Sequence, residues 1–262
     1  MKLGVVLESM GLPIRQGLPV TARLGVAGVQ VDATGDLAPD RLTETGRREL
    51  KNLLRTYNQQ LTALNCPFRR GLDVAENQQA RIDYVRKVMS LAFDLGPRTV
   101  IIQCPKLPGD AEPERANLLR EALTDLGRQG DRVGSVLALE IGLDSPEAVG
   151  AYLDQFDVGS LKVDYDPANM LMNGFDPVKG IIPLHRRIAH VHARDARRTM
   201  VSRSAQEVAL GAGDVDWLSF VASLTAIEYR GWLTIRRESG SNRLQDIERG
   251  VAFLRKMLIP AG

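Results

Sequence analysis

The chain has 262 residues, 44% of them apolar and 25% charged, which excludes a disordered, collagen-like or membrane-spanning protein and leaves room for one large core. Its 34 basic and 32 acidic residues balance too closely for a sequence-independent nucleic-acid binder, and no apolar run approaches the ~18 residues of a spanning helix. Only two cysteines occur and no signal-peptide pattern opens the chain, so a cytoplasmic protein without disulfides is expected.

In chain order, eight short apolar runs rich in β-branched residues read as strands: 3–8, 28–32, 61–66, 99–104, 136–140, 161–164, 188–192 and 232–235. A helix-like stretch follows each. Asp73 with Glu76 predicts a capping box for the long helix that ends near Gly96. Ser145-Pro146 and Asp176-Pro177 each set an N-cap residue before proline at the first helical position, which puts His185 in a helix. Asp214 precedes an apolar face of Val215, Leu218, Val221 and Ala222. Such alternation argues for parallel strands joined by right-handed crossovers. At this length a closed α/β TIM barrel, (β/α)8, is the economical solution, one domain over residues 1–262. An open doubly wound sheet is the alternative. Against it, Leu7-Glu8-Ser9-Met10-Gly11-Leu12-Pro13 follows the first run in place of a Gly-x-Gly-x-x-Gly.

In such a barrel the chemistry sits at the carboxyl ends of the strands. Those ends offer Glu8, Gln30, Asp32, Asn65, Gln103, Glu140, Asp164, Asp166, His190, His192, Arg236 and Glu238. Glu140 ends an otherwise apolar run, where an ionised carboxylate is costly unless paired or metal-bound. Asp166 stands before Pro167, the ordinary place of a turn or cap residue. His190 and His192, two of three histidines, share one strand face. One Glu, one Asp and one His on three consecutive strands form a hard-to-borderline metal site open to Mn²⁺, Mg²⁺, Co²⁺ or Zn²⁺. Cys66 and Cys104 end adjacent strands and are expected as free thiols, while Trp217 and Trp232 read as packing residues. Arginines crowd two loops, Arg69-Arg70 after the third strand and Arg194, Arg197, Arg198 and Arg203 after the seventh. Either they hold an anionic substrate in bidentate forks, or they pair with neighbours such as Asp73 and Asp195.

Leu-Ala-Leu-Glu140, Tyr-Asp166-Pro-Ala-Asn169, His190-Val-His192-Ala-Arg-Asp195, Leu210-Gly-Ala-Gly213-Asp-Val-Asp-Trp217 and Thr234-Ile-Arg-Arg-Glu238 together resemble the xylose-isomerase-like TIM-barrel family. The resemblance covers essentially the whole chain and is strongest in its second half. It implies a sugar or sugar-phosphate isomerase or epimerase that moves a proton through a cis-enediolate. It implies a divalent metal ion held by Glu140, Asp166, His192 and a fourth Glu, with Glu140 and Glu238 as the catalytic acid and base. At the fourth ligand the chain departs from the pattern: relatives read Ile-Glu-Arg-Glu, and here stands Ile235-Arg236-Arg237-Glu238. Glu238 shares a strand face with position 236 and would reach the metal from one step further out. Alternatively the Arg236 guanidinium occupies the metal position and neutralises Glu140 and Asp166. The chain would then be a catalytically impaired sugar- or sugar-acid-binding protein. Asn169, His190, Arg194, Arg198 and Arg236 are the candidate substrate contacts. The expected partner is a small carbohydrate, anionic if the arginines face it, and a homo-oligomer, common among relatives, is left open. The apurinic endonucleases of this fold need further histidines, one of them where Asn169 stands, so neither nucleic acid nor a membrane is expected as a partner.

Overall fold

A computed structural model describes residues 1–198 and 205–258. Eight strands form a closed parallel barrel: β1 (Lys2–Val6), β2 (Gly28–Asp32), β3 (Gln60–Asn65), β4 (Thr99–Gln103), β5 (Val136–Glu140), β6 (Leu161–Tyr165), β7 (Ile188–Ala193) and, after an excursion, β10 (Trp232–Ile235). Each neighbours the next, and β10 closes the ring on β1 with Lys2 opposite Trp232 and Val5 opposite Ile235. All eight expected runs are therefore barrel strands. The excursion is a separate antiparallel hairpin of β8 (Asp195–Arg198) and β9 (Ala205–Val208), which the sequence reading does not contain. Its strands are short and polar and carry no alternating apolar signal. Arg203 lies outside the described residues.

Helices α1 (Ile14–Arg23), α2 (Glu44–Thr56), α3 (Gln78–Leu95), α4 (Pro113–Val133), α5 (Pro146–Leu153), α6 (Pro167–Met172), α7 (Trp217–Ala226) and α8 (Arg243–Leu258) follow the barrel strands. The main core gathers outward strand residues such as Val29, Val100 and Leu233 with inward helix residues such as Leu18, Val85, Leu126 and Leu254. No helix among the described residues is long and apolar enough to cross a membrane. Cys66 and Cys104 are both free and buried.

Start signals fared unevenly. Ser145 caps α5 as expected, its hydroxyl accepting from the Ala148 N–H (3.2 Å). Asp73 caps nothing: it is buried and paired with Arg115, and α3 begins after Asn77 in a left-handed conformation. Asp176 Oδ1 does accept from the N–H groups of Val178 and Lys179. Only a single 3₁₀ turn, Lys179–Ile181, follows, because Pro183 cannot continue a helix, and His185 is exposed in the turn beyond. The cap of α7 is Asp216, not Asp214, and the buried face is Trp217, Phe220, Val221 and Leu224. Leu218 is 73% exposed and Ala222 is also exposed, so the expected face is rotated.

Asp195 explains two of the motifs at once. Its buried carboxylate accepts from the N–H groups of Ala196, Gly211, Gly213 and Val215 and from Trp217 Nε1 (2.9–3.3 Å). It thereby ties the end of β7 to the loop before α7. At Gly213 a Cβ would come within 2.0 Å of Asp195 Oδ1, so only glycine allows that approach.

Candidate functional site

Alternation along the strands aims the second residue of each pair into the barrel and sets it at a defined depth. Asp164 lies opposite both Glu140 and His190 in the ladders of β6 with its neighbours, and His192 lies opposite Thr234. His190 is fully buried: its Nδ1–H donates to Asp164 Oδ1 (2.8 Å) and its Nε2 meets the Thr234 hydroxyl (2.8 Å). With both nitrogens engaged and burial holding it neutral, it braces the barrel and is not a substrate contact. His192 sits above, its ring edge-on to His190 at 5.2 Å. It donates from Nε2 to Gln30 Oε1 (2.9 Å), and its Nδ1 lies 2.6 Å from Asp164 Oδ2. Burial would raise the Asp164 carboxyl, but the two imidazoles hold it well below the usual carboxylate range.

The next level carries the charges. Glu140 Oε1 accepts from Asn169 Nδ2 (3.0 Å) and Oε2 from Arg236 Nη1 (2.6 Å). Asp166 Oδ1 caps α6 by accepting the Asn169 N–H (2.9 Å), while Oδ2 accepts from Arg194 Nη1 (2.8 Å). The cap role and a site role thus coincide in one side chain. Gly142, at φ +147°, allows the chain after β5 to lie against Asn169, where a Cβ would come within 2.4 Å of Asn169 Cβ. Arg194 also reaches Asn169 Oδ1 (3.1 Å), Glu238 Oε2 (3.0 Å) and, through Nε, Glu207 Oε1 (3.3 Å). Glu238 accepts a second guanidinium contact from Arg236 Nη2. Burial pushes Glu140 upward, yet Arg236 and then His192 bring it below its ordinary value. Asp166 remains raised, because burial outweighs Arg194 and Glu140 repels it.

The barrel mouth opens between Arg236 and the ends of β1 to β3 as a cavity of about 320 Å³, lined by Glu8, Gln30, Asp32, Asn65, Arg236 and Glu238 among others. Glu8 Oε1 accepts the Asp32 N–H (2.8 Å), and Asn65 Nδ2 donates to Asp32 Oδ1 (2.7 Å). Burial, and then the neighbouring Asp32, pushes the Glu8 carboxyl up to about 7.

Of the residues singled out in the sequence, the structure brings together Glu140, Asp166, His192, Asn169, Arg194 and Arg236. Arg198 is elsewhere, on a groove with Asp176, Asp214 and Asp216. Arg69 and Arg70 line a separate cavity of about 140 Å³ beside Gln103 and Cys104, and Arg70 pairs with Glu76. Sequence reasoning did not assign Gln30, Asp164 or Glu8, although all three stand visibly at strand ends. It missed Glu207 entirely. That residue belongs to the unforeseen hairpin, where it accepts from the Glu238 and Ser239 N–H groups (2.9 and 2.7 Å) and fixes the chain after β10.

Glu140, Asp166 and His192 each offer a ligand atom within 4.8 Å of the others, a group able to hold an ion in kind and spacing. The arrangement around them does not fit one. A first-row divalent ion needs about 2.0–2.2 Å to carboxylate oxygen and imidazole nitrogen. Arg236 Nη1 already stands 2.6 Å from Glu140 Oε2 and 3.4 Å from His192 Nδ1, so guanidinium and ion compete for one point. Glu238 is not in the group. It stands outside the two arginines, half exposed, because β10 ends at Ile235 and the chain has left the barrel by Glu238. Arg236 neutralises Glu140 but not Asp166, whose direct partner is Arg194.

A family model described as a xylose isomerase-like TIM barrel matches residues 18–257. The uncharacterized protein YfiH of Bacillus subtilis is 26% identical over 293 aligned residues, covering 91% of this chain and 93% of that protein. An inosose dehydratase of Clostridium tetani is 27% identical over 120 residues, 41% of this chain, and the match spans only 40% of that enzyme. Among solved structures, a xylose isomerase domain protein from Planctomyces limnophilus superposes with a TM-score of 0.84 at 25% identity, covering 98% of this chain and 95% of that one. The 3-keto-D-glucoside 4-epimerase YcjR of E. coli shares the fold, with a TM-score of 0.78 at 15% identity over 98% and 99% of the two chains.

Proposed function

The chain belongs to the xylose isomerase-like TIM-barrel family, and from that premise we propose that its barrel mouth moves a proton beside the carbonyl of a sugar or sugar acid, as an isomerase or epimerase does. The observation that carries this reading is the placement of two carboxylates, Glu140 and Glu238, on either side of the Arg236 guanidinium at the mouth of the barrel. A carbon next to a carbonyl is a very weak acid, so its proton leaves only if the oxyanion formed is met by fixed positive charge or N–H donors. Arg236 supplies such donors, with Asn169 and Arg194 beside it. Glu140, held ionised by Arg236, is the base that takes the proton. Glu238, half exposed, is the group that returns one at the neighbouring carbon or on the opposite face. The inosose dehydratase likeness adds a further outcome of the same abstraction: loss of a hydroxyl instead of reprotonation.

The test is proton exchange. The protein is incubated in D2O with ketoses, sugar acids and sugar phosphates, and deuterium entering the carbon beside the carbonyl is followed by NMR. Exchange is expected with at least one of them, and Glu140→Gln lowers it about 10²–10⁴-fold. One observation favours a second reading, a carbohydrate-binding protein without turnover: the carboxylate that should act as base is tied to Arg236 at 2.6 Å. Thermal stabilisation by a sugar with no exchange in any of the panel decides for that reading.

A further inference from the structure

We infer that this mouth carries its positive charge in the chain itself: Arg236 and Arg194 hold Glu140 and Asp166 in place of a divalent ion, and the site takes its substrate without one. The inference concerns the same mouth as the proposed proton transfer, but its own test needs no substrate.

Two carboxylates facing one divalent ion are replaced by two separate pairs, Glu140 with Arg236 and Asp166 with Arg194, at 2.6 and 2.8 Å. Two single charges stand where one double charge would. Every oxygen of the two carboxylates is then occupied, since Asn169 supplies the remaining donors through Nδ2 and its backbone N–H. Neither Glu140 nor Asp166 has an oxygen left without a donor.

The guanidiniums are themselves fixed. Glu238 bridges them, accepting from Arg194 Nη2 at 3.0 Å and from Arg236 Nη2, and Glu207 holds Arg194 Nε. Arg194 is 4% exposed, and the Arg236 side chain 19%. Neither swings aside without leaving a buried carboxylate bare, which costs more than the ion pair gains. His192 is held likewise, with Gln30 at one nitrogen and Asp164 close to the other, so its ring is oriented without a metal.

This defines the ligand chemistry. A guanidinium keeps its proton at any working pH and donates through a flat fork. It serves a planar oxyanion, a carboxylate or an enediolate, better than the chelating pair of hydroxyls that an ion gathers by coordination.

The test is a Mn²⁺ titration of chelator-treated protein by calorimetry. Wild type is expected to bind no Mn²⁺ and to melt at the same temperature with or without EDTA. Arg236→Glu removes the cation and adds a carboxylate, and should bind one Mn²⁺ per chain at least ~100-fold more tightly than wild type. His192→Ala in that background should abolish the binding. Stoichiometric Mn²⁺ binding by wild type, lost in His192→Ala, overturns the inference, as does a folded Arg236→Glu protein that binds none. If Arg236→Glu does not fold, the wild-type titration alone decides. A failure of sugar exchange leaves this assignment intact, and Mn²⁺ binding by wild type leaves the proposed proton transfer intact.

Discussion

Two pairs of carboxylates face each other across one barrel mouth and differ in what they touch. Glu140 and Asp166, at the ends of β5 and β6, each touch a guanidinium. Glu8 and Asp32, after β1 and at the end of β2, touch none among the described residues and hold each other by a side-chain to backbone hydrogen bond. Burial pushes all four upward. In Glu140 the push is reversed by Arg236 and His192, whereas Glu8 rises to about 7 and Asp32 rises less, because Asn65 donates to it. At Glu140 a contact cation overrides burial; at Asp166 it does not, because burial outweighs Arg194 and Glu140 stands beside it.

The largest effect is expected from turning the first pair into the second kind. Arg236→Met leaves Glu140 buried without its cation and should lower stability in urea by about 3 kcal/mol at pH 7. Glu140 has a folded-state value below its unfolded one, so the pair's contribution is present above the unfolded value and fades as pH falls through the folded one. The loss in Arg236→Met should therefore shrink on acidification, and adding Glu140→Gln should restore part of it. An unchanged urea midpoint would show that the pair contributes nothing.

A smaller effect belongs to the opposite wall. Glu8 titrates higher in the folded state, so the folded chain binds more protons between about 4.5 and 7 and stability falls as pH rises through that window. Glu8→Gln should flatten that slope in a series of unfolding curves, and a slope identical to wild type would place the titration elsewhere. Smallest of all, Asp32→Asn should move the Glu8 carboxyl only partway back when followed by carbon-detected NMR. Its repulsion stands second to burial, so a complete return to the ordinary value would reverse that order.

Much of the fold was legible because a parallel barrel buries its strands on both faces. Val-Leu-Ala-Leu before Glu140 and Val-Ile-Ile before Gln103 show that directly as apolar runs. The hairpin of β8 and β9 was not legible: its residues are polar, and its pairing is held by Asp195 and Glu207 reaching to other segments. The cap expected at Asp73 failed for a related reason. A carboxylate with Arg115 in reach across the fold has a stronger partner than a nearby N–H. In the site, Glu140 was recognisable as a strand-end carboxylate that a dry core does not tolerate unpaired, and Asp166 and His192 by following it at the next two strand ends. The burial of His190 beneath them, and the departure of Arg198 to another groove, depend on depth and loop path that spacing does not encode.

By itself the sequence determined the alternation of strand and helix, the closed barrel that follows from it, and which polar residues stand at the strand ends. It also put Arg236 and Glu238 on one face, since side chains alternate every residue along an extended chain. Tertiary structure alone decided which of the two reaches Glu140. That choice rests on how far β10 rises beside β7 and β1 in the closed ring, a difference of two residue steps that brings a guanidinium into the cluster and leaves a carboxylate at its rim.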